Sequence, residues 1–403
     1  MANFLLVFVL MCCMAVKVDA SQVVRLGPID LNPSLSISEG YNDNVFFINA
    51  QKNGSWFTTI NPRLQFTRKW NRLSFDMSYS LTDIRYASFS QNDTTTNLLS
   101  SSSHWIFNYR NKLDLISSLS FGQNPIGTNL TQGSVDTQNL KPVKYTRNNY
   151  QATYQFGAQG AQGNLIFRAG YSEINYDSQT SAPTPLVLTR YSYQDNYNIN
   201  LGGTFLYKVM PKTQALFEIN HILIKYTNKQ ATILNNNYYQ TNYLFGATWK
   251  AAGKTTGSIK LGMFDLQYDD GRKTNLGLTG MINVTWQPWT YSGFTLTASQ
   301  NNLPNIGIGT GSYINQKQFS LGWLHTWSPR LNSQLQLMAG TQNYVGTTPE
   351  TSDTSMGMTV GLNYRMRPWL GFGLSYTYNR RDSNRNSYNY DQNMMVLNVN
   401  LTL

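Results

Sequence analysis

The sequence predicts an all-β protein: a single-chain antiparallel transmembrane β-barrel of about eighteen strands, with short periplasmic turns and longer extracellular loops. Three observations carry this. From Leu73 to Leu81 apolar and polar residues alternate strictly, and the pattern recurs about every twenty residues to the final segment, where Met395, Leu397, Val399, Leu401 and Leu403 flank Asn398, Asn400 and Thr402. That is the period of a strand whose two faces meet different surroundings. Charged residues make up 13% of the chain, about half the globular norm of roughly 25%, and are matched by 13% aromatics, including 26 Tyr. The connections between alternating segments are short and long in turn.

The chain opens on an apolar run, Phe4 to Val16, too short to cross a bilayer as a helix, and Val18-Asp19-Ala20 supplies small residues at a cleavage site. Residues 1–20 are expected to be a signal peptide. Cys12 and Cys13, the only cysteines, both fall in it, so the exported chain would carry neither thiol nor disulfide. Residues 21–30 are expected to form a short periplasmic segment, and 31–403 the barrel. No apolar stretch is long enough for a transmembrane helix.

Strands are predicted at 31–41, 55–68, 73–85, 97–109, 112–122, 146–158, 163–175, 192–206 and 213–225. They continue at 237–249, 255–267, 275–286, 291–300, 314–327, 331–343, 354–364, 370–380 and 389–403. The count falls to sixteen if 31–41 or 291–300 lies outside the wall. Short connections, such as 69–72 and 328–330, alternate with long ones, of which 123–145 is the longest and the best candidate for folding inward. Six of nine Trp (Trp70, Trp249, Trp286, Trp289, Trp327, Trp369) fall at the short turns. Tyr86, Tyr176, Tyr191, Tyr193, Tyr226, Tyr238, Tyr239, Tyr313, Tyr344, Tyr388 and Tyr390 crowd the other ends. Two interfacial aromatic belts are expected from this.

With the apolar set toward lipid, the other parity lines the lumen. The candidates are Arg63, Asp76, Asp114, Arg147, Gln151, Arg168, Glu218, Asn220, Lys260, Gln334 and Gln336. Four are basic and three acidic, so the interior reads as polar and nearly neutral. The formal net charge of +11 therefore lies elsewhere. Arg68, Lys69, Arg72, Arg110, Lys112, Lys208, Lys212, Lys250, Lys254, Arg330, Arg365 and Arg367 flank the short turns, with no acidic residue among them. This basic periplasmic rim suits either phospholipid headgroups or an anionic polymer at the pore.

Catalytic chemistry is not expected. His104, His221 and His325 are far apart in strand order, and the last two carry the lipid-facing parity. No Asp, Glu or His group has metal-ligand spacing, and Asp269-Asp270-Gly271 has too few carboxylates for a calcium loop. Gly307-Ile308-Gly309-Thr310-Gly311 lacks the lysine and the strand–helix setting of a phosphate loop. No cofactor, metal or nucleic-acid partner follows.

The two ends are more specific. Leu31-Asn32-Pro33-Ser34-Leu35, then Glu39-Gly40-Tyr41-Asn42-Asp43-Asn44-Val45-Phe46 and Ile60-Asn61-Pro62-Arg63-Leu64, resemble the opening of a family of outer-membrane β-barrel porins. Pro368-Trp369-Leu370 through Arg380-Arg381-Asp382-Ser383-Asn384 resembles that family's last hairpin. Its members are encoded with exopolysaccharide and capsule synthesis systems. The resemblance implies a porin that exports a polysaccharide, with outer-membrane lipids around it and a periplasmic export or co-polymerase protein as partner. A general or solute-specific diffusion porin, and a closed barrel serving as surface scaffold or adhesin, are the alternatives. The chain departs from the usual outer-membrane pattern in ending on Leu403 where an aromatic is common.

Overall fold

The computed structural model describes residues 24–133, 140–177, 179–181, 187–189, 191–228, 237–252, 254–271, 275–304, 313–347 and 349–402. The expected signal segment, the Gly307–Gly311 run and the centre of the 123–145 connection lie outside them.

Eighteen long strands form the wall. They are β1 (Ile29–Asn42), β2 (Ser55–Lys69), β3 (Leu73–Tyr86), β4 (Thr94–Ile106), β5 (Asn111–Asn124) and β6 (Val143–Phe156). Next come β7 (Gly163–Tyr176), β8 (Asn196–Met210), β9 (Thr213–Tyr226), β10 (Tyr238–Ala252), β11 (Thr255–Tyr268) and β12 (Asn275–Trp289). The last six are β13 (Ser292–Pro304), β14 (Tyr313–Ser328), β15 (Leu331–Val345), β16 (Thr351–Arg367), β17 (Leu370–Ser383) and β18 (Tyr390–Thr402). Each pairs antiparallel with the next. β1 closes on β18, from Ser34 opposite Thr402 to Asn42 opposite Met394. Closure leaves no free sheet edge for lipid to meet. Both segments in doubt, 31–41 and 291–300, are wall strands, which excludes sixteen. Before β1, Val24–Leu26 folds back on Ile29–Leu31 around Gly27, whose φ of 62° is a left-handed conformation.

Two expected boundaries move for local reasons. The segment read as 97–109 is β4, Thr94–Ile106, because Asn108 Oδ1 accepts from the backbone N–H groups of Arg110 (2.9 Å) and Asn111 (3.0 Å) and builds the turn earlier. The segment read as 192–206 is β8, running on to Met210, where Pro211 supplies no ladder donor.

Apolar side chains of one parity, among them Leu201, Phe205, Phe245, Leu261 and Leu397, are exposed on the outer face. A 14-residue strand tilted by about 40° rises roughly 35 Å, while the apolar band of such barrels is about 25 Å tall. Some ten ångströms (roughly) at the long-loop end therefore stand clear of lipid. There the outer face turns polar: Arg85 pairs with Asp83 at 2.6 Å and Arg380 with Asp382 at 2.8 Å. Where polar groups of outer parity lie lower, they satisfy one another, as in Ser101···Ser117 (2.8 Å) and Tyr79 Oη donating to Asn97 Oδ1 (2.7 Å).

The expected tryptophan belt is present. Trp70, Trp286, Trp289, Trp327 and Trp369 are exposed at the short-turn end, and Trp286, Phe294 and Trp323 stack in series with centroids 5.4 and 6.4 Å apart. The expected tyrosine belt is not. Tyr176, Tyr191, Tyr238, Tyr313 and Tyr344 are buried inside the mouth, and Tyr86, Tyr226 and Tyr388 pack against the same clusters. Of the eleven, Tyr239 does face outward, with its hydroxyl donating to Gln267 at 2.6 Å. Clustering at strand ends says nothing about side: parity turns Tyr176, Tyr238 and Tyr344 inward, while Tyr313, of outer parity, is buried against Tyr238, Phe264 and Tyr268.

The wall also has a seam. β12 and β13 pair from Trp289 opposite Ser292 up to Gly280 opposite Gln300 and no further, although both strands continue. Beyond that point the outer-parity residues Asn302, Tyr313 and Val345 pack against the inner face of β10 and β11. Asn302 Nδ2 donates to Gln240 Oε1 at 3.1 Å, and Tyr313 joins Tyr238, Phe264, Leu266 and Tyr268 in one cluster. The ends of β13–β15 thus overlap the wall from inside, and Gly277 gives room for the Phe264 ring, which a Cβ there would meet at 2.6 Å. If β13 lay flush with β12 instead, positions 240 and 302 would be three strands apart, roughly 14 Å. Gln240→Cys with Asn302→Cys is therefore expected to cross-link with a short bifunctional thiol reagent in the intact membrane. Absence of the cross-link while both thiols label singly would refute the overlap.

Candidate functional site

The ladder fixes which side chains share the interior. Gln65, Ser78, Ser100, Ser118, Asn149, Ser172 and Asn198 stand opposite one another in turn across β2 to β8, forming one continuous polar row. Its members bond along the row: Ser78···Ser100 at 2.9 Å, Asn149 Nδ2 to Ser118 Oγ at 3.2 Å, Asn198 Nδ2 to Ser172 Oγ at 2.5 Å. Across the barrel, Asn283 Nδ2 donates to Thr297 Oγ1 and Thr359 shares a hydroxyl bond with Thr377.

The register puts the eleven lumen candidates on this same face. Arg63 Nη2 reaches Ser78 Oγ at 3.5 Å, and Asp76 accepts from Thr67 Oγ1 at 2.6 Å. The Arg147 guanidinium lies 5.5 Å from the Tyr145 ring, and Gln151 Nε2 is 3.4 Å from Thr153 Oγ1. Asn220 stands opposite Gly202, Gln334 opposite Gly361 and Gln336 opposite Thr359. Three of the candidates converge. Glu218 accepts from Lys260 Nζ (2.8 Å), Thr204 Oγ1 (3.0 Å) and Arg168 Nη1 (3.4 Å), so one carboxylate holds two cations.

Asp114 meets His104, Nδ1 to Oδ1 at 2.5 Å, a pairing across adjacent strands that histidine spacing alone does not reveal. Ser74 stands opposite His104 on the other side. Nucleophilic catalysis needs the hydroxyl hydrogen-bonded to the imidazole, and among the described residues these two form no such bond. The described residues also hold no cluster of three or more potential metal ligands.

Parity reasoning missed two things. Ile116, Met281, Leu324 and Met338 occupy inner positions and are exposed there, so the lining is polar with apolar interruptions. At the mouth, Arg381 Nη2 pairs with the carboxylate of Asp353 and donates to the Tyr344 hydroxyl at 3.0 Å. The sequence gives no sign of this network, because its members come from three strands.

The mouth is narrowed by loops and by the buried tyrosines. Val45, Phe46 and Ile126 pack together with Ile48, Tyr86, Phe89 and Leu140, and Asn92 ties them down, donating to Val45 O (3.3 Å) and accepting from Ile126 N (2.7 Å). Residues 125–133 of the longest connection therefore lie over the interior, as far as Gly133 beside Tyr388. Nearly all the buried apolar residues sit at this end.

Among the described residues no buried apolar cluster covers the opposite end, which is basic. Arg68 and Arg110 sit over Trp70 and Tyr109 at 4.2 and 5.1 Å, and Arg72 Nη1 donates to Phe107 O at 3.3 Å. Lys254 Nζ donates to Pro288 O at 2.5 Å, and Arg365 N to Arg330 O at 2.7 Å. Arg367 pairs with Leu370 at the last short turn, and Lys69 with Ser74 at the first. Lys112, Lys208, Lys212 and Lys250 line a common cavity inside the rim. For the Glu218 cluster, removing one partner leaves the other charge partly buried and unpaired. A double-mutant cycle of Glu218→Gln and Lys260→Met is expected to give a coupling energy above about 1 kcal/mol, read from the thermal midpoint of the folded barrel on electrophoresis. Additive single effects would show that the cluster contributes no coupling.

No curated protein matches the chain. Among solved structures it is similar to the siderophore receptor PirA from Acinetobacter baumannii, with a TM-score of 0.50 and 7% identity over 95% of this chain and 81% of that one. It is also similar to the outer membrane protein OpdK from Pseudomonas aeruginosa (TM-score 0.46, 14% identity, 93% of this chain and 99% of that one). A third is OccAB4 from Acinetobacter baumannii (TM-score 0.45, 13% identity, 93% and 98%). The family model described as "Putative beta-barrel porin 2" matches residues 22–403. With that match along nearly its whole length and a closed wall of eighteen antiparallel strands, the chain belongs to this family of outer-membrane β-barrel porins.

Proposed function

We propose that the barrel conducts a hydroxyl-rich polymer, an exopolysaccharide or capsular polysaccharide, outward across the outer membrane. The observation that carries this reading is the seven-strand row of Ser, Asn and Gln side chains from Gln65 to Asn198. Each of these groups offers donors and acceptors that exchange with sugar hydroxyls at little cost, because they already bond to neighbours of the same kind. At Glu218 one carboxylate engages both Lys260 and Arg168, so a sugar chain meets no large unpaired charge there. The resemblance of the two end hairpins to porins of polysaccharide synthesis systems supports the same substrate. A periplasmic export or co-polymerase protein would deliver the chain to the basic end, and the loops over the mouth would yield as it passes.

A solute-specific or general porin shares this polar lining, and a closed scaffold shares the narrowed mouth, so the test separates all three. In planar bilayers, a variant with residues 126–133 replaced by a short Gly-Ser link is expected to conduct more than the parent and to be blocked by oligosaccharides. Large conductance indifferent to oligosaccharide would point to a general porin. No conductance from either form would point to the scaffold. In the producing cell, deletion of the gene is expected to abolish surface polysaccharide, and unchanged surface polysaccharide would overturn the export reading.

A further inference from the structure

Seven of the twelve basic residues of the rim fall into two sets. Arg68, Arg72 and Arg110 lie on or beside outer aromatics and turn carbonyls, at the level where phospholipid headgroups meet the barrel. Lys112, Lys208, Lys212 and Lys250 instead converge from β5, β8, the β8–β9 turn and β10 on one cavity of about 510 Å³. The β6–β7 turn bends in to form its floor, with Gly157 (φ 131°) and Gly160 (φ 82°) in conformations that L side chains rarely adopt. Among the described residues no carboxylate lines the cavity. Asp114, next in the inner row after Lys112, is already engaged by His104.

We propose that this cavity is a binding site for a negatively charged glycan, a capture point at the periplasmic end of the conduit. The inference rests on the conduit reading and deepens it by naming the substrate's charge. The ammonium groups of Lys112, Lys208 and Lys250 stand in a lining whose described residues include no carboxylate, a concave field of one sign that low-dielectric walls focus into the opening. Gln155, Gln214, Asn164 and Thr248 line the same space and supply partners for sugar hydroxyls. Lysine suits such a role, since its flexible stem and three rotatable donors follow a chain in motion without fixing one pose. The division of labour is spatial: the charged vestibule gathers the chain, and the nearly neutral row beyond it lets the chain move on.

The test measures binding and needs no transport, so it stands or falls apart from the conduit reading. Detergent-solubilised full-length protein is titrated with hexagalacturonate, with maltohexaose and with inorganic phosphate, following tryptophan fluorescence and calorimetric heat. Hexagalacturonate is expected to bind about tenfold or more tightly than maltohexaose, and to weaken as salt rises. Lys112→Gln/Lys208→Gln/Lys250→Gln is expected to lose about tenfold or more of that affinity. Arg68→Gln/Arg72→Gln/Arg110→Gln, which removes the same charge from the outer surface, is expected to keep it. Equal losses in the two triple variants would overturn the site, as would hexagalacturonate binding no better than maltohexaose. Phosphate binding as tightly as hexagalacturonate would reduce it to a plain anion site and overturn the glycan assignment.

Discussion

The structure depends first on closure of the backbone ladder. β1 pairs with β18 over nine residues, from Ser34 to Asn42, and with that pairing every strand of the wall has two neighbours through the middle of the barrel. In lipid an unpaired peptide group costs several kcal/mol, so a sheet this long has to close. Closure in turn makes the two side-chain parities inequivalent. One faces lipid around the whole circumference and the other faces the interior, and all further properties of the molecule follow from which residue falls on which side. The seam between β12 and β13 is confined to the long-loop end. There the freed edge is covered by the overlapping strands, and Thr279 Oγ1 donates to Gln300 O at 2.9 Å where the pairing stops.

Parity is also what made so much of this fold readable. Strict alternation located the eighteen strands to within a few residues, and it assigned Arg63, Asp76, Arg168, Glu218 and Lys260 to one face without any structure. It failed where position along a strand was used in place of side. Tyr176, Tyr238 and Tyr344 stand at strand ends, as belt residues do, yet they point inward and fill the mouth. It also failed where contacts depend on which strands lie near each other across a barrel. The Asn302–Gln240 contact joins strands that are not neighbours in sequence, and no local pattern encodes it. The His104–Asp114 pair lay between these cases, since it follows from the register of one hairpin once the turn at Asn108 is placed.

Polarity, charge and bulk are distributed along the axis in a definite order. The short-turn end carries the excess positive charge, divided between an outer set at the lipid surface and an inner set around one cavity. The middle is lined by amides and hydroxyls with paired charges. The far end holds most of the buried apolar residues and the loops that narrow the opening. The interior is thus graded from charge at the short turns to apolar bulk at the mouth.

The measurement that bears most directly on all of this is a cysteine-accessibility scan of β7 in the reconstituted protein. Single cysteines at positions 165 to 170 are labelled with a membrane-impermeant, hydrophilic thiol reagent. The account predicts labelling of Ile166→Cys, Arg168→Cys and Gly170→Cys and protection of Leu165→Cys, Phe167→Cys and Ala169→Cys. Labelling in the opposite phase, or at every position alike, would contradict the assignment of inside and outside on which the rest is built.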